Sequence, residues 1–391
     1  MTIETIPGTD IQYYLLAYDK DGKERRDDPD ATTGTVLSER VKRELGEQPV
    51  TDVFFISHGW KGDVPAAKDQ YTRWIGAMLA CQQDREKVRQ VRPGFRALLI
   101  GLHWPSLPWG DEKLDASALS FAPGEDAIET LVEDAADKIA DSEAAKQALR
   151  TIFTAALDDI RPPTLPPAVV DAYERLQHEA GLDAEGPGAA PGADAEAFDP
   201  ERFYQVGQAD AVSFGLPGTG GLLTVLQQLS FWKMKDRAKN FGESGAATLL
   251  RELQQIATGR DVRFHLMGHS FGCIVVSATV AGDRGNAPLA QPAHSLFMVQ
   301  GALSLWAYCS DIPVARGKAG YFHSIISGNK VSGPIVTTQS EHDTAVGRLY
   351  PLAAGLERQV VFDPGNLPKY GAMGSFGIRG PGVTIEDLEM L

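Results

Sequence analysis

The stretch 262–281, VRFHLMGHSFGCIVVSATVA, decides how the rest of this chain is read. Residues 262–267 form the apolar, β-rich run of a buried strand. Gly268-His269-Ser270-Phe271-Gly272 follows, and then an apolar run of helical character. Strand, G-x-S-x-G and helix in that order are the setting that a nucleophilic serine requires. On such a turn the backbone is strained and the hydroxyl stands free at the end of the sheet. Glycines two residues to either side let strand and helix approach more closely than any Cβ would allow. Phe271, first in the helix, offers its backbone N–H to a developing oxyanion, and the helix dipole adds to that field. The alternative for the same five residues is a small-residue turn in a buried βα unit, without chemistry.

Working outward, residues 52–57 (DVFFIS) are a continuous apolar run of strand length, the pattern of a strand covered on both faces. The run ends in His58-Gly59-Trp60. A helix is expected over 66–81, with Tyr71, Trp74, Ile75, Met78 and Leu79 on one stripe. Residues 95–102 (FRALLIGL) give a second buried strand, which stops at His103-Trp104-Pro105 because proline cannot extend the ladder. Strand, helix, strand is the grammar of an α/β fold with a mostly parallel, twisted sheet flanked by helices. Upstream, 11–18 reads as an edge strand or hairpin arm and 35–45 as a helix. Downstream, 222–256 is helical, and 295–303 and 334–338 are further strands. Residues 344–356 suggest a helix interrupted near Pro351, 359–362 a short strand, and 371–382 a glycine-rich irregular segment.

Between residues 110 and 221 the alternation breaks. Amphipathic helices are expected over 126–141, 144–158 and 166–180. The Ala/Gly/Pro/acid composition of 181–200 points to disorder. The organisation expected is therefore a sheet domain of 1–109 and 222–391 interrupted by a large helical insertion, 110–221. That insertion is either a lid over a site at the strand ends or a solubilising decoration. GLPGTGG at 215–221 invites a phosphate-loop reading but lacks the Lys-Ser/Thr pair that such a loop needs, so a hinge is expected.

Composition removes several classes of function. The 391 residues carry a net charge of −15 and are 43% hydrophobic, which suits a globular protein with a sizeable core. That charge argues against nucleic acid, whose phosphates call for Lys and Arg clusters, and against anionic membrane surfaces. No apolar run reaches the ~18–20 residues of a transmembrane span, and the first residues lack the charge and hydropathy pattern of a secretory signal. Cys81, Cys273 and Cys309 have no metal-site spacing and read as buried, reduced thiols of a cytoplasmic protein. No metal site and no cofactor is expected.

His58, His103, Ser270 and Asp343 each fall at the carboxyl end of an expected strand, where open parallel sheets bind their ligands. Together VFFISHGW, LHWPS, HLMGHSFG and IVTTQSEHDTAVG resemble the α/β-hydrolase superfamily, in its lipase and serine-esterase branch. The resemblance covers the core strands and the helices between them, not the insertion. It implies Ser270 as nucleophile, the N–H groups of Trp60 and Phe271 as oxyanion hole, and Asp343 as triad acid. Asp343 also fits as the N-cap of a helix starting at Thr344. The activity implied is hydrolysis of a carboxylic ester or related small-molecule or lipid-like acyl substrate through an acyl-enzyme.

One departure stands out: no histidine follows His342, whereas the family places its histidine after the acid. A serine needs a base to take its proton. Three accounts stay open. His342 or another histidine at the strand ends serves, with Asp311 a better acid than Asp343 if His342 is the base, because adjacent side chains on extended chain point apart. Alternatively the histidine lies beyond the end of this sequence. Or the triad is degenerate and the fold is a binding or interaction protein.

Overall fold

The computed structural model describes residues 2–26, 36–60, 63–107, 125–183, 186–210, 221–282, 288–340 and 367–388. Contacts divide the chain into two compact units, one of Met1–Ser106, Arg237–Val346 and Ala372–Leu391, the other of Leu107–Asp236 and Gly347–Gly371.

The first unit is built on a seven-stranded sheet. Its strands are β1 Thr2–Thr5, β2 Gln12–Ala17, β3 Asp52–Ser57, β4 Ala97–His103, β5 Arg263–His269, β6 Ser295–Val299 and β7 Ile335–Thr338. Their spatial order is β1-β2-β4-β3-β5-β6-β7. β1 runs antiparallel to β2, and every other neighbouring pair is parallel. The expected α/β class with a mostly parallel sheet is what the chain adopts. β3 has the boundaries read from its apolar run. β2 is a hairpin arm, as one of the two readings had it, but not an edge strand, because β1 takes the edge.

Helices α1 Leu37–Glu47, α2 Val64–Ala80 and α3 Gln82–Val91 lie between β2 and β4. α2 covers one face of the sheet. Ala67, Tyr71 and Ile75 pack there against Tyr13, Leu15, Ile56 and Leu99, with Trp74 and Leu79 at the margin of the cluster. Met78, placed on the same stripe from sequence, is exposed. α3 buries no residue, so it has no apolar stripe to betray it.

The second unit holds α4 Glu125–Lys138, α5 Glu143–Asp158, α6 Pro167–Glu179, α7 Pro200–Asp210 and most of α8 Leu223–Phe241. Leu149, Ile152, Phe153, Tyr173 and Leu176 are in its core. Residues 186–200, expected to be disordered, are instead packed in turns, with Asp194 and Ala195 buried. The cause is an ion pair that the local composition hides. Both Asp194 carboxylate oxygens accept from Lys235 Nζ of α8, at 2.7 and 2.8 Å, and neither side chain is more than 2% exposed. The Lys235 ammonium also lies 4.5 Å from the centre of the Trp232 ring.

Back in the sheet unit, a π-helical turn at Gly242–Ala246 joins α8 to α9 Ala247–Ile256, which leads into β5. α10 Gly272–Ala281 follows β5 and is buried on every side. That accounts for its lack of amphipathic pattern. At the amino ends of β3 and β5, Arg92 donates to Asp52 Oδ2 (3.0 Å), Asp261 Oδ2 (2.7 Å) and the Thr51 carbonyl (2.9 Å), pinning the two strands that carry the site. Two short helices complete the unit, α11 His323–Ser327 and α12 Met373–Phe376. The segment around α12 read as irregular from sequence, yet it is mostly buried and hydrogen-bonded to the chain after β6, with Met373 N–H to Leu303 O at 2.8 Å. Among the described residues no helix is long and apolar enough to cross a membrane.

Candidate functional site

β3 and β5 are neighbours in parallel register, with Ser57 opposite Gly268. Chain leaving β3 crosses through α2 and α3 to β4 on one side. Chain leaving β5 passes through α10 to β6 on the other. The loops diverge at this point, where an open parallel sheet presents its ligand crevice. His58-Gly59-Trp60 leaves one strand there and Ser270 the other.

Ser270 has φ +53°, in the left-handed region that residues with a Cβ avoid at a cost of about 1–2 kcal/mol. Its surroundings hold it there. Its N–H donates to Val299 O (3.0 Å), and its carbonyl accepts from Cys273 N–H (3.1 Å) and Ala302 N–H (3.2 Å). The residue is half-buried, so the bend is not sealed inside the core. The flanking glycines are required by close approach. A Cβ on Gly268 would stand 2.3 Å from Gly272 O, and one on Gly272 would stand 2.3 Å from Ser57 O and 2.6 Å from His58 O. Gly59 lies against the same turn, where a Cβ would be 2.8 Å from Ser270 Cβ.

Phe271 has helical backbone angles and opens α10, so its amide sits at the positive end of the helix. The Phe271 and Trp60 rings are 5.9 Å apart, bringing together the two residues expected to supply oxyanion donors. His342 and Asp343 lie outside the described residues. Asp311, the alternative acid, accepts from Gly317 N–H at 2.7 Å in a local turn.

The six described histidines of the sheet unit each have a partner other than the Ser270 hydroxyl. His58 and His103 face each other, with Nε2 and Nδ1 3.0 Å apart. His265 meets Ser295 Oγ (2.8 Å) and Asp52 Oδ1 (3.1 Å). His269, beside the serine, turns to Gln70 Nε2 (3.3 Å) and the Trp74 ring. His294 accepts from Phe264 N–H, and His323 meets Tyr308 O. Burial pushes His58 down to about 4 and His103 down to about 3, so both are neutral near pH 7.

Two supporting residues escaped the sequence reading. The Tyr71 hydroxyl accepts from His58 N–H (2.7 Å) and donates to Leu102 O (2.5 Å), tying the ends of β3 and β4 together. A buried tyrosine on an otherwise apolar stripe is the available signal, since its hydroxyl needs a partner. Gln300, at φ +48°, bends the chain after β6, and its N–H donates to Thr338 Oγ1 (3.1 Å). Nothing in its local sequence marks it. No protein-family model, no curated protein and no solved structure matches this chain.

Proposed function

We propose that this chain is a serine hydrolase of the α/β-hydrolase kind, acting on a carboxylic ester or a related small-molecule or lipid-like acyl substrate. The observation that carries the reading is Ser270 at φ +53°, half-buried, on a strand-to-helix bend with Gly59 pressed against it. Backbone strain of this kind clusters at functional sites, and here the strained residue carries a hydroxyl. In this reading the Ser270 oxygen attacks the acyl carbon. The tetrahedral oxyanion is stabilised by the N–H groups of Phe271 and Trp60, and the alcohol leaves to give an acyl-enzyme that water hydrolyses. His342 is assigned as general base, since the other histidines of the sheet unit are engaged elsewhere. With His342 as base, Asp311 is the better acid, because adjacent side chains on extended chain point apart; Asp343 is the acid if another histidine serves.

A second reading, a hydrolase fold retained for binding alone, is favoured by one observation. Among the described residues no histidine is hydrogen-bonded to the Ser270 hydroxyl. Turnover of p-nitrophenyl butyrate separates the two. The hydrolase reading expects activity that falls by roughly 10⁶ in kcat in Ser270→Ala. Turnover that is absent, or that survives in Ser270→Ala, removes it.

A further inference from the structure

His58 and His103 end β3 and β4 with both rings buried, at 0% and 6% exposure. His58 Nδ1 is 2.8 Å from the Gly59 carbonyl oxygen. A carbonyl can only accept, so Nδ1 carries the proton. Nε2 of the same ring is then an acceptor, which the Trp104 N–H aimed at it from 3.4 Å also requires. His103 therefore donates from Nδ1 across the 3.0 Å contact. Each ring is neutral, and each tautomer is fixed by its neighbours.

The consequence falls on the Gly59–Trp60 peptide. His58 grips its carbonyl oxygen, and its N–H is that of Trp60. None of the described peptide bonds is cis. In a trans peptide the C=O and N–H point in opposite directions, so holding the oxygen fixes the direction of the hydrogen. We propose that His103 is a positioning residue for the oxyanion hole: through His58, and only while the pair is neutral, it holds the Trp60 N–H in place. This rests on the serine hydrolase reading and deepens it.

The groups facing the pair are consistent with a neutral state. Around His58 stand the Tyr71 hydroxyl of α2, the Trp104 ring stacked at 5.7 Å, the positive influence of His269 and the negative influence of Asp63. Around His103, burial and the positive influences of His58 and Arg25 oppose its protonation. A proton added to His58 Nε2 would face the His103 Nδ1–H across 3.0 Å and the Trp104 N–H across 3.4 Å. The bond that orients His58 would be lost.

The test is steady-state kinetics with p-nitrophenyl butyrate at pH 8, together with the rate of fluorophosphonate labelling, on folded protein verified by circular dichroism. His103→Leu removes the donor. It should lower kcat and the labelling rate by about tenfold or more with KM unchanged, as expected for a loosened oxyanion donor. His103→Asn places an amide N–H near the Nδ1 position and should restore most of both rates. A leucine variant with wild-type kcat, or an asparagine variant as slow as leucine, overturns the proposal. Should the leucine variant fail to fold, His103→Gln replaces it. Its amide reaches past the Nδ1 position, so it should be slower than His103→Asn, and equal rates overturn the proposal. Wild-type protein that neither turns over nor labels defeats the hydrolase reading first, and this inference with it.

Discussion

Acidification should destabilise this fold well above the pH at which its paired carboxylates titrate, and His58 sets the size of the effect. In an unfolded chain its ring titrates near 6.5; in the fold, burial lowers that to about 4. The folded state therefore binds the proton less readily. As pH falls through 6.5 the unfolded state takes up a proton that the folded state refuses, and stability drops until the folded ring also titrates, near 4. At 1.36 kcal/mol per unit, the loss between pH 7.5 and 4.5 comes to about 2.5 kcal/mol for His58 alone. His103, lowered to about 3, loses stability through the same window and further into acid. Against a total of roughly 5–15 kcal/mol this is a large fraction. Asp52 acts lower. Burial raises its pKa, but hydrogen bonds from His265 and Thr51 and the Arg92 charge more than offset it, so its contribution is lost only below the usual 3.8. The assay is urea unfolding followed by circular dichroism at pH 7.5, 6.5, 5.5 and 4.5, for wild type and for the His58→Asn/His103→Asn double variant. The double variant should show a visibly flatter dependence. Equal slopes would refute the assignment of two buried neutral rings.

Other consequences are simpler to state. Gly272→Ala puts a methyl 2.3 Å from Ser57 O, a backbone atom, and should destabilise by at least about 2 kcal/mol in urea titration. Ser270→Gly relieves the φ +53° strain that Ser270→Ala keeps, so the glycine variant should be the more stable of the two by about 1 kcal/mol while both are inactive. Lys235→Met strands the Asp194 carboxylate without its ammonium and should cost about 3–5 kcal/mol, whereas Lys235→Met/Asp194→Leu should recover most of that. A single Lys235→Met variant as stable as wild type would contradict the buried pair.

What the sequence discloses follows from how local each cause is. β3 is read to the residue because DVFFIS is buried almost throughout and carries its own signal. The bend at Ser270 is legible because five consecutive residues set it. β1 has four residues with a mixed pattern and is ordered by pairing with β2, so nothing within TIET announces it. α3 buries nothing. Residues 186–200 look too poor in apolar side chains to pack, and what anchors them is Lys235, 41 positions beyond Asp194. The same distance effect hides the candidate site's support. His58 and His103 were each visible at a strand end, but their hydrogen bond spans 45 residues and depends on β3 and β4 being neighbours. Sequence raised both rings as possible bases, whereas their mutual bond and burial commit them to positioning.

Reactivity of one hydroxyl underlies the whole functional account. Intact protein treated with a fluorophosphonate, then digested and mapped by mass spectrometry, reports it directly. One phosphonyl adduct per chain is expected, on the peptide containing Ser270, and none in Ser270→Ala. Folded protein that stays unmodified while a control serine hydrolase reacts, or an adduct on any other serine, would contradict it.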